Sequence, residues 1–200
     1  MNKTIIAGFA AILAGSSVNA APITFDDLTD LNFIPNGYAG LSWNNMASLN
    51  AVTYDTNPSG YFVGLVSPEF VAFNAAGNPA SFGLEPSFLV NSFYLTAAWN
   101  DDLDVLIEGL LDVTPVVSTS IQIDSTLKSL ITLNWSGIDE VRLTSSGGVD
   151  NPNFDGIGPH FAMDNLVINS EFQEVPEAGT WFAGATVALI GGATYLRRRR

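Results

Sequence analysis

The chain has 200 residues, with 20 acidic against seven basic side chains, a single histidine and no cysteine. Without cysteine neither a disulfide framework nor a thiolate site is open to it, and one histidine rules out His-based metal clusters. Every acidic residue except Glu177 falls between 21 and 174, against only Lys128 and Arg142, so nucleic acid is excluded as a natural partner while calcium, other cations and neutral glycans stay open.

Residues 1–20 carry one early charge at Lys3, an apolar run over 5–14, and small residues Val18 and Ala20 at the spacing a signal peptidase reads. This predicts a signal peptide that is removed on export. Residues 21–170 have the length of one ordinary domain. They show short period-two runs rich in Val, Ile, Phe, Tyr and Thr between clusters of Asn, Asp, Gly and Pro, the pattern of an all-β, antiparallel β-sandwich. The predicted strands cover 23–25, 40–43, 61–65, 70–73, 92–99, 103–108, 116–123, 129–135, 140–144 and 160–168. Phe93, Leu95, Ala97 and Trp99, the turn Asn100-Asp101-Asp102, and then Leu103, Val105 and Ile107 predict a hairpin with one buried face and one acidic face. The same alternation puts Trp99 and Trp135 in the core. Tyr38 and Trp43, in a Gly-rich loop-to-strand segment, are the aromatic candidates for exposure and sugar stacking.

Residues 171–180 form a short linker, and no charge occurs between Ala178 and Leu196. Residues 181–196 therefore predict a short single transmembrane helix, with Trp181 and Tyr195 near its interfaces. Arg197, Arg198, Arg199 and Arg200 follow as a basic cytoplasmic tail, which puts the preceding domain outside. The run Val175-Pro176-Glu177-Ala178-Gly179-Thr180, the apolar stretch and the terminal arginines, in this order, resemble the PEP-CTERM sorting signal of Gram-negative bacteria. Ala178 stands where that motif has its second proline. The resemblance implies an exosortase-type processing enzyme and signal peptidase as partners. It also implies a periplasmic domain held at the inner membrane before sorting to the cell surface or extracellular matrix.

The body resembles a group of PEP-CTERM ectodomains at three places: Ile23-Thr24-Phe25-Asp26-Asp27-Leu28, the segment from Ile34-Pro35-Asn36-Gly37 through Gly40-Leu41-Ser42-Trp43, and His160-Phe161-Ala162-Met163-Asp164-Asn165-Leu166. Similar openings and closings frame jelly-roll domains of the carbohydrate-binding type, with first and last strands side by side. That pairing would bring Asp26 and Asp27 toward Asp164, where similar domains carry a structural Ca²⁺ among hard oxygen ligands. The alternative is that Asp26 and Asp27 cap a turn while Asp164 bonds to backbone amides. The stretch Asp150-Asn151-Pro152-Asn153-Phe154-Asp155-Gly156 echoes half an EF-hand loop, but Ala162 occupies the place of the bidentate Glu, so it reads as a polar loop.

Catalytic arrangements are excluded mainly by missing parts. His160 stands alone, no Gly-x-Ser-x-Gly elbow and no Gly-rich phosphate loop occur, and only surface carboxylates such as Asp101, Asp102, Asp104 and Glu108 are left for glycosidase chemistry. The expected function is a non-enzymatic, exported surface or matrix protein associated with extracellular polysaccharide. A lectin-like carbohydrate-binding module is the alternative, followed by a glycan-active enzyme.

Overall fold

A computed structural model describes residues 20–169 of the chain. The signal peptide up to residue 19, the linker from 171, the predicted transmembrane segment and the arginine tail lie outside the described residues. No helix among the described residues is long and apolar enough to cross a membrane.

The strands are β1 (Asn32–Phe33), β2 (Ser42–Asn44), β3 (Met46–Asn50), β4 (Phe70–Asn74), β5 (Ala80–Ala97), β6 (Asn100–Leu111), β7 (Thr114–Ile123), β8 (Ser129–Asp150) and β9 (Phe161–Ile168), with a single helical turn, α1 (Gly60–Val63), before β4. All pairings between these strands are antiparallel. The expected all-β antiparallel sandwich is what forms. Its two layers share their longest strands, because β5 has 18 residues and β8 has 22, and each passes from one layer into the other. One layer runs β1-β3-β4-β9, then the second half of β5 and the first half of β8. The other runs β2, the first residues of β5, the second half of β8, β6 and β7.

The bend in β5 has a local cause. Its register against β8 breaks between Gly83 and Phe88, where Pro86 lacks an N–H to donate to a ladder. Just before the break the two strands approach so closely that a Cβ on Gly83 would lie 2.4 Å from the Asp139 carbonyl oxygen, which only glycine avoids. Between the layers, Phe82 meets Phe93 edge-on at 6.3 Å between ring centroids. The inward rows Leu103, Val105 and Ile107 of β6 and Val141 and Leu143 of β8 fill the same core. A smaller aromatic cluster forms around Tyr61 and Trp99, whose rings cross at 5.4 Å.

Three expectations are corrected. The hairpin of β5 with β6 does not form, since β8 lies hydrogen-bonded between them, although the inward phase of Phe93, Leu95, Leu103, Val105 and Ile107 is as read. The predicted strands 129–135 and 140–144 are one strand. The predicted strand 61–65 is instead the turn α1, because the Gly60 N–H bonds the Ala98 carbonyl at 2.8 Å and draws this apolar run against β5. One helical turn then buries Tyr61 and turns Phe62 outward.

The β6–β7 connection is a two-residue turn, with Leu111 paired to Thr114, and both Asp112 (φ 49°) and Val113 (φ 61°) are left-handed. A β-branched residue is poorly suited to that region. Replacing Val113 by glycine, the residue this turn geometry favours, should stabilise the domain by about 1 kcal/mol. That corresponds to a melting temperature higher by roughly 2–4 °C in calorimetry. An unchanged or lower melting temperature would show that the turn stores no strain.

Candidate functional site

The two ends of the described chain do meet. Ile23 and Leu166 exchange both backbone hydrogen bonds, at 2.8 and 3.1 Å. Asp164, on β9, is sealed from solvent at 0% exposure. Its Oδ2 accepts the N–H groups of Val66 at 2.7 Å and Ser67 at 2.8 Å, and its Oδ1 accepts the Asn165 N–H at 2.6 Å. The Ser67 hydroxyl lies 3.0 Å from each carboxylate oxygen and 3.1 Å from the Thr24 carbonyl, which makes it a bridge between the last strand and the opening segment. Asp26 treats the same loop alike, its Oδ1 accepting Glu69 and Phe70 N–H groups at 3.0 Å each.

This geometry fits the alternative reading, in which Asp164 bonds to backbone amides, better than a calcium ion shared by Asp26, Asp27 and Asp164. A cation needs converging oxygens, but the partners around Asp164 turn the positive ends of N–H dipoles toward both carboxylate oxygens. Displacing them would strand buried donors. Among the described residues no three His, Cys, Asp or Glu side chains form a group that could hold a metal ion. Asp27 is engaged elsewhere, accepting the Tyr38 hydroxyl at 2.7 Å. Burial and this neighbouring carboxylate push the Tyr38 phenol well above its ordinary value.

The expected exposure of Trp43 is corrected. Trp43 is 6% exposed, with its ring 5.8 Å from Phe25 and 5.6 Å from Phe82 and its Nε1–H donating to the Tyr38 carbonyl at 3.1 Å. The segment carrying it is looped back by left-handed Gly37 and Gly40, and strand alternation in β2 then points Trp43 inward and Ser42 and Asn44 outward. Tyr38, half-buried, covers the edge of this aromatic stack.

An open cleft of about 540 Å³ lies at the bend of β5. Asn36, Ser42 and Asn44 line it from the β2 side, with the edge of Trp43; Ser81, Gly83, Leu84 and Glu85 come from β5. Asp112 and Val113 of the β6–β7 turn and Asp139 and Glu140 of β8 complete it. Asp139 is nine-tenths buried and accepts the Asp112 N–H at 2.8 Å, which fixes the left-handed turn to the cleft floor. Hydroxyls, amides and carboxylates beside short apolar surfaces suit a polyhydroxylated ligand better than a lipid or an anion. None of Ser81, Glu85, Asp112, Asp139 or Glu140 stands out in the sequence as a site residue. The one local signal is Pro86 inside an otherwise strand-like run, the mark of an interrupted ladder.

Two of the remaining carboxylate candidates, Asp101 and Glu108, are held in structural bonds. Asp101 accepts the Ser125 N–H and hydroxyl, and Glu108 pairs with Arg142 at 2.9 Å. Burial holds the His160 imidazole below its ordinary value, and among the described residues its Nδ1 finds no hydrogen-bond partner. The sorting residues Val175, Pro176, Glu177, Arg197, Arg198, Arg199 and Arg200 lie outside the described residues.

No protein-family model matches the chain, and no curated protein matches it either. Among solved structures, TmCBM61 in complex with β-1,4-galactotriose is similar at 11% identity, covering 70% of this chain and 99% of its own, with a TM-score of 0.36. A DUF4465 family protein from Bacteroides caccae is similar at 10% identity, covering 84% of this chain and 99% of its own, with a TM-score of 0.47. Another from Bacteroides ovatus covers 78% of this chain and 95% of its own at 10% identity and a TM-score of 0.40.

Asp26 gives this region a pH dependence. Burial pushes its carboxyl up, but the Phe70 and Glu69 amides and the Thr24 and Ser67 hydroxyls outweigh this, and the folded value falls below 3.8. A depressed carboxyl contributes stability above its unfolded value and loses it as pH falls through the folded one. Burial raises Asp164 on balance despite the amides around it, so its contribution runs the other way. Between about pH 5 and pH 2, Asp26→Asn should therefore lose less stability than the parent in urea melts. Parallel curves would rule Asp26 out as an acid-sensitive contact.

Proposed function

We propose that the chain is an exported, non-enzymatic surface protein whose jelly-roll-like domain binds extracellular glycan in the cleft at the β5 bend. The observation that carries this reading is the cleft itself. Side chains from β2, β5, the β6–β7 turn and β8 converge there on an open volume lined by amides, hydroxyls and carboxylates, with Leu84 and Val113 as apolar surfaces. Sugar rings present the matching pattern of hydroxyl edges and C–H faces. A non-enzymatic role is supported by the engagement of Asp101 and Glu108 in structural bonds. Export and sorting rest on the signal peptide and on Val175-Pro176-Glu177, the apolar segment and the four terminal arginines.

Titration of the full chain in detergent with extracellular polysaccharide from a producing strain should show binding that weakens about tenfold in Asn44→Ala. The melting temperature should change little, because Asn44 is exposed on β2. Undiminished binding would place the glycan elsewhere. The sorting half is tested by intact mass from cells with and without an exosortase. The C-terminal segment should be lost only in the former, and Pro176→Ala with Glu177→Ala should retain it. Identical masses in both cells would remove the sorting reading.

A further inference from the structure

Two strands end their layers on the same side of the sandwich. Among the described residues β7 pairs with β6 alone, and β8 over 129–138 pairs with β5 alone, since its ladder to β6 begins at Glu140. Each therefore turns a row of backbone N–H and C=O groups outward with no neighbouring strand to take them. The two edges meet around Gly109, where an added Cβ would lie 2.7 Å from Val117 Cγ1 on β7 and 3.2 Å from Trp135 Cε3 on β8. Behind them, Val117 and Ile121 on one edge and Ile131, Leu133 and Trp135 on the other pack against the main core but stay partly open to solvent. The other free edges are short, two residues in β1 and three in β2. Long free edges are ordinarily blunted by lysine, inward-pointing charge or proline. The ten residues of β7 include no charge, and their one proline, Pro115, lies beside the turn.

We propose that this edge is a homodimer interface, in which β7 of one chain pairs antiparallel with β7 of a second copy about a two-fold axis at Thr119. The strand is its own complement about that residue. Ser118 falls opposite Ser120 of the second copy, Val117 opposite Ile121, and Val116 opposite Gln122. Hydroxyls thus meet hydroxyls on the outer face, and Val117 and Ile121 meet on the inner one, carrying the core row across the axis. A two-fold interface needs a surface that matches itself in this way. Charge selects the same side. Residues 113–138 hold one acidic side chain, Asp124, of the 20 in the chain, so a second copy that meets like charge over most of so acidic a surface meets almost none here. An unrelated extended segment would find the same free backbone groups but would lack the symmetry about Thr119.

The test follows the mass of the full chain in detergent by sedimentation equilibrium over a range of concentrations, and a monomer–dimer equilibrium is expected. Ser118→Glu with Ser120→Glu sets like charges opposite each other across the axis and should weaken the dimer about tenfold or more. Ser118→Lys with Ser120→Lys should do the same, and mixing the two double variants should restore a dimer with one chain of each. Both serines are exposed, so melting temperatures should stay close to the parent's. Should a double variant fold poorly, Thr119→Cys takes its place, because the chain has no other cysteine. A residue facing its own copy across an antiparallel pair lies about 4.5–5.5 Å away between Cα atoms, within disulfide reach. Oxidation should link chains in pairs at Thr119→Cys and far less at Val52→Cys, which is exposed away from this edge. A chain that stays monomeric, a dimer that both double variants leave intact, no recovery on mixing, equal linking at the two cysteine positions, or growth past two copies would each overturn the proposal.

Discussion

The buried carboxylate of Asp164 is the contact on which the closure of this domain depends. It sits on the last strand and takes up the amides of Val66 and Ser67 from the loop leading into β4, while the Ser67 hydroxyl reaches on to the Thr24 carbonyl of the opening segment. Asp26 fastens the next two amides of that loop. Loop, opening segment and last strand are thus tied through two carboxylates that accept backbone N–H groups. A carboxylate with fewer such donors would be costly at this depth. With the ends closed in this way, the Ile23 and Leu166 backbone bonds complete the seam.

The second constraint is that two strands must serve both layers. β5 leaves one layer at Gly83 and joins the other at Phe88, and the space opened by that departure is the cleft. Gly83 permits the close approach to β8, Pro86 lies where the ladder is interrupted, and the β6–β7 turn reaches over to bond Asp139. The acidic character of the cleft is therefore assembled from residues more than 50 positions apart in sequence.

This explains which parts were legible in the sequence. The inward phase of Leu103, Val105 and Ile107 followed from alternation alone, since a strand with one dry face must repeat every second residue. The meeting of Ile23 with Leu166 followed from the resemblance at the two ends. The insertion of β8 between β5 and β6 could not be read, because the tight Ala98-Trp99 connection has the same local signature whether the strands pair or separate. Tyr61 was misread because an apolar run beside glycines fits a strand or a turn equally, and the choice was made by Gly60 docking on Ala98. Trp43 was misplaced for a similar reason: a Gly-rich neighbourhood suggests exposure, whereas left-handed Gly37 and Gly40 fold that segment back and bury the ring. Asp164 was read with both outcomes open, and the amide donors around it fit the backbone-bonded one.

The central claim is that carboxylate-to-amide bonds hold the two ends of the domain together. Amide hydrogen exchange at Ile23, Val66, Ser67 and Leu166, followed in chelating buffer and again in saturating calcium, tests it most directly. The account predicts the same protection at all four amides in both buffers, because their acceptors belong to the chain itself. Protection lost in chelator and restored by calcium would contradict it and return Asp26, Asp27 and Asp164 to the role of metal ligands.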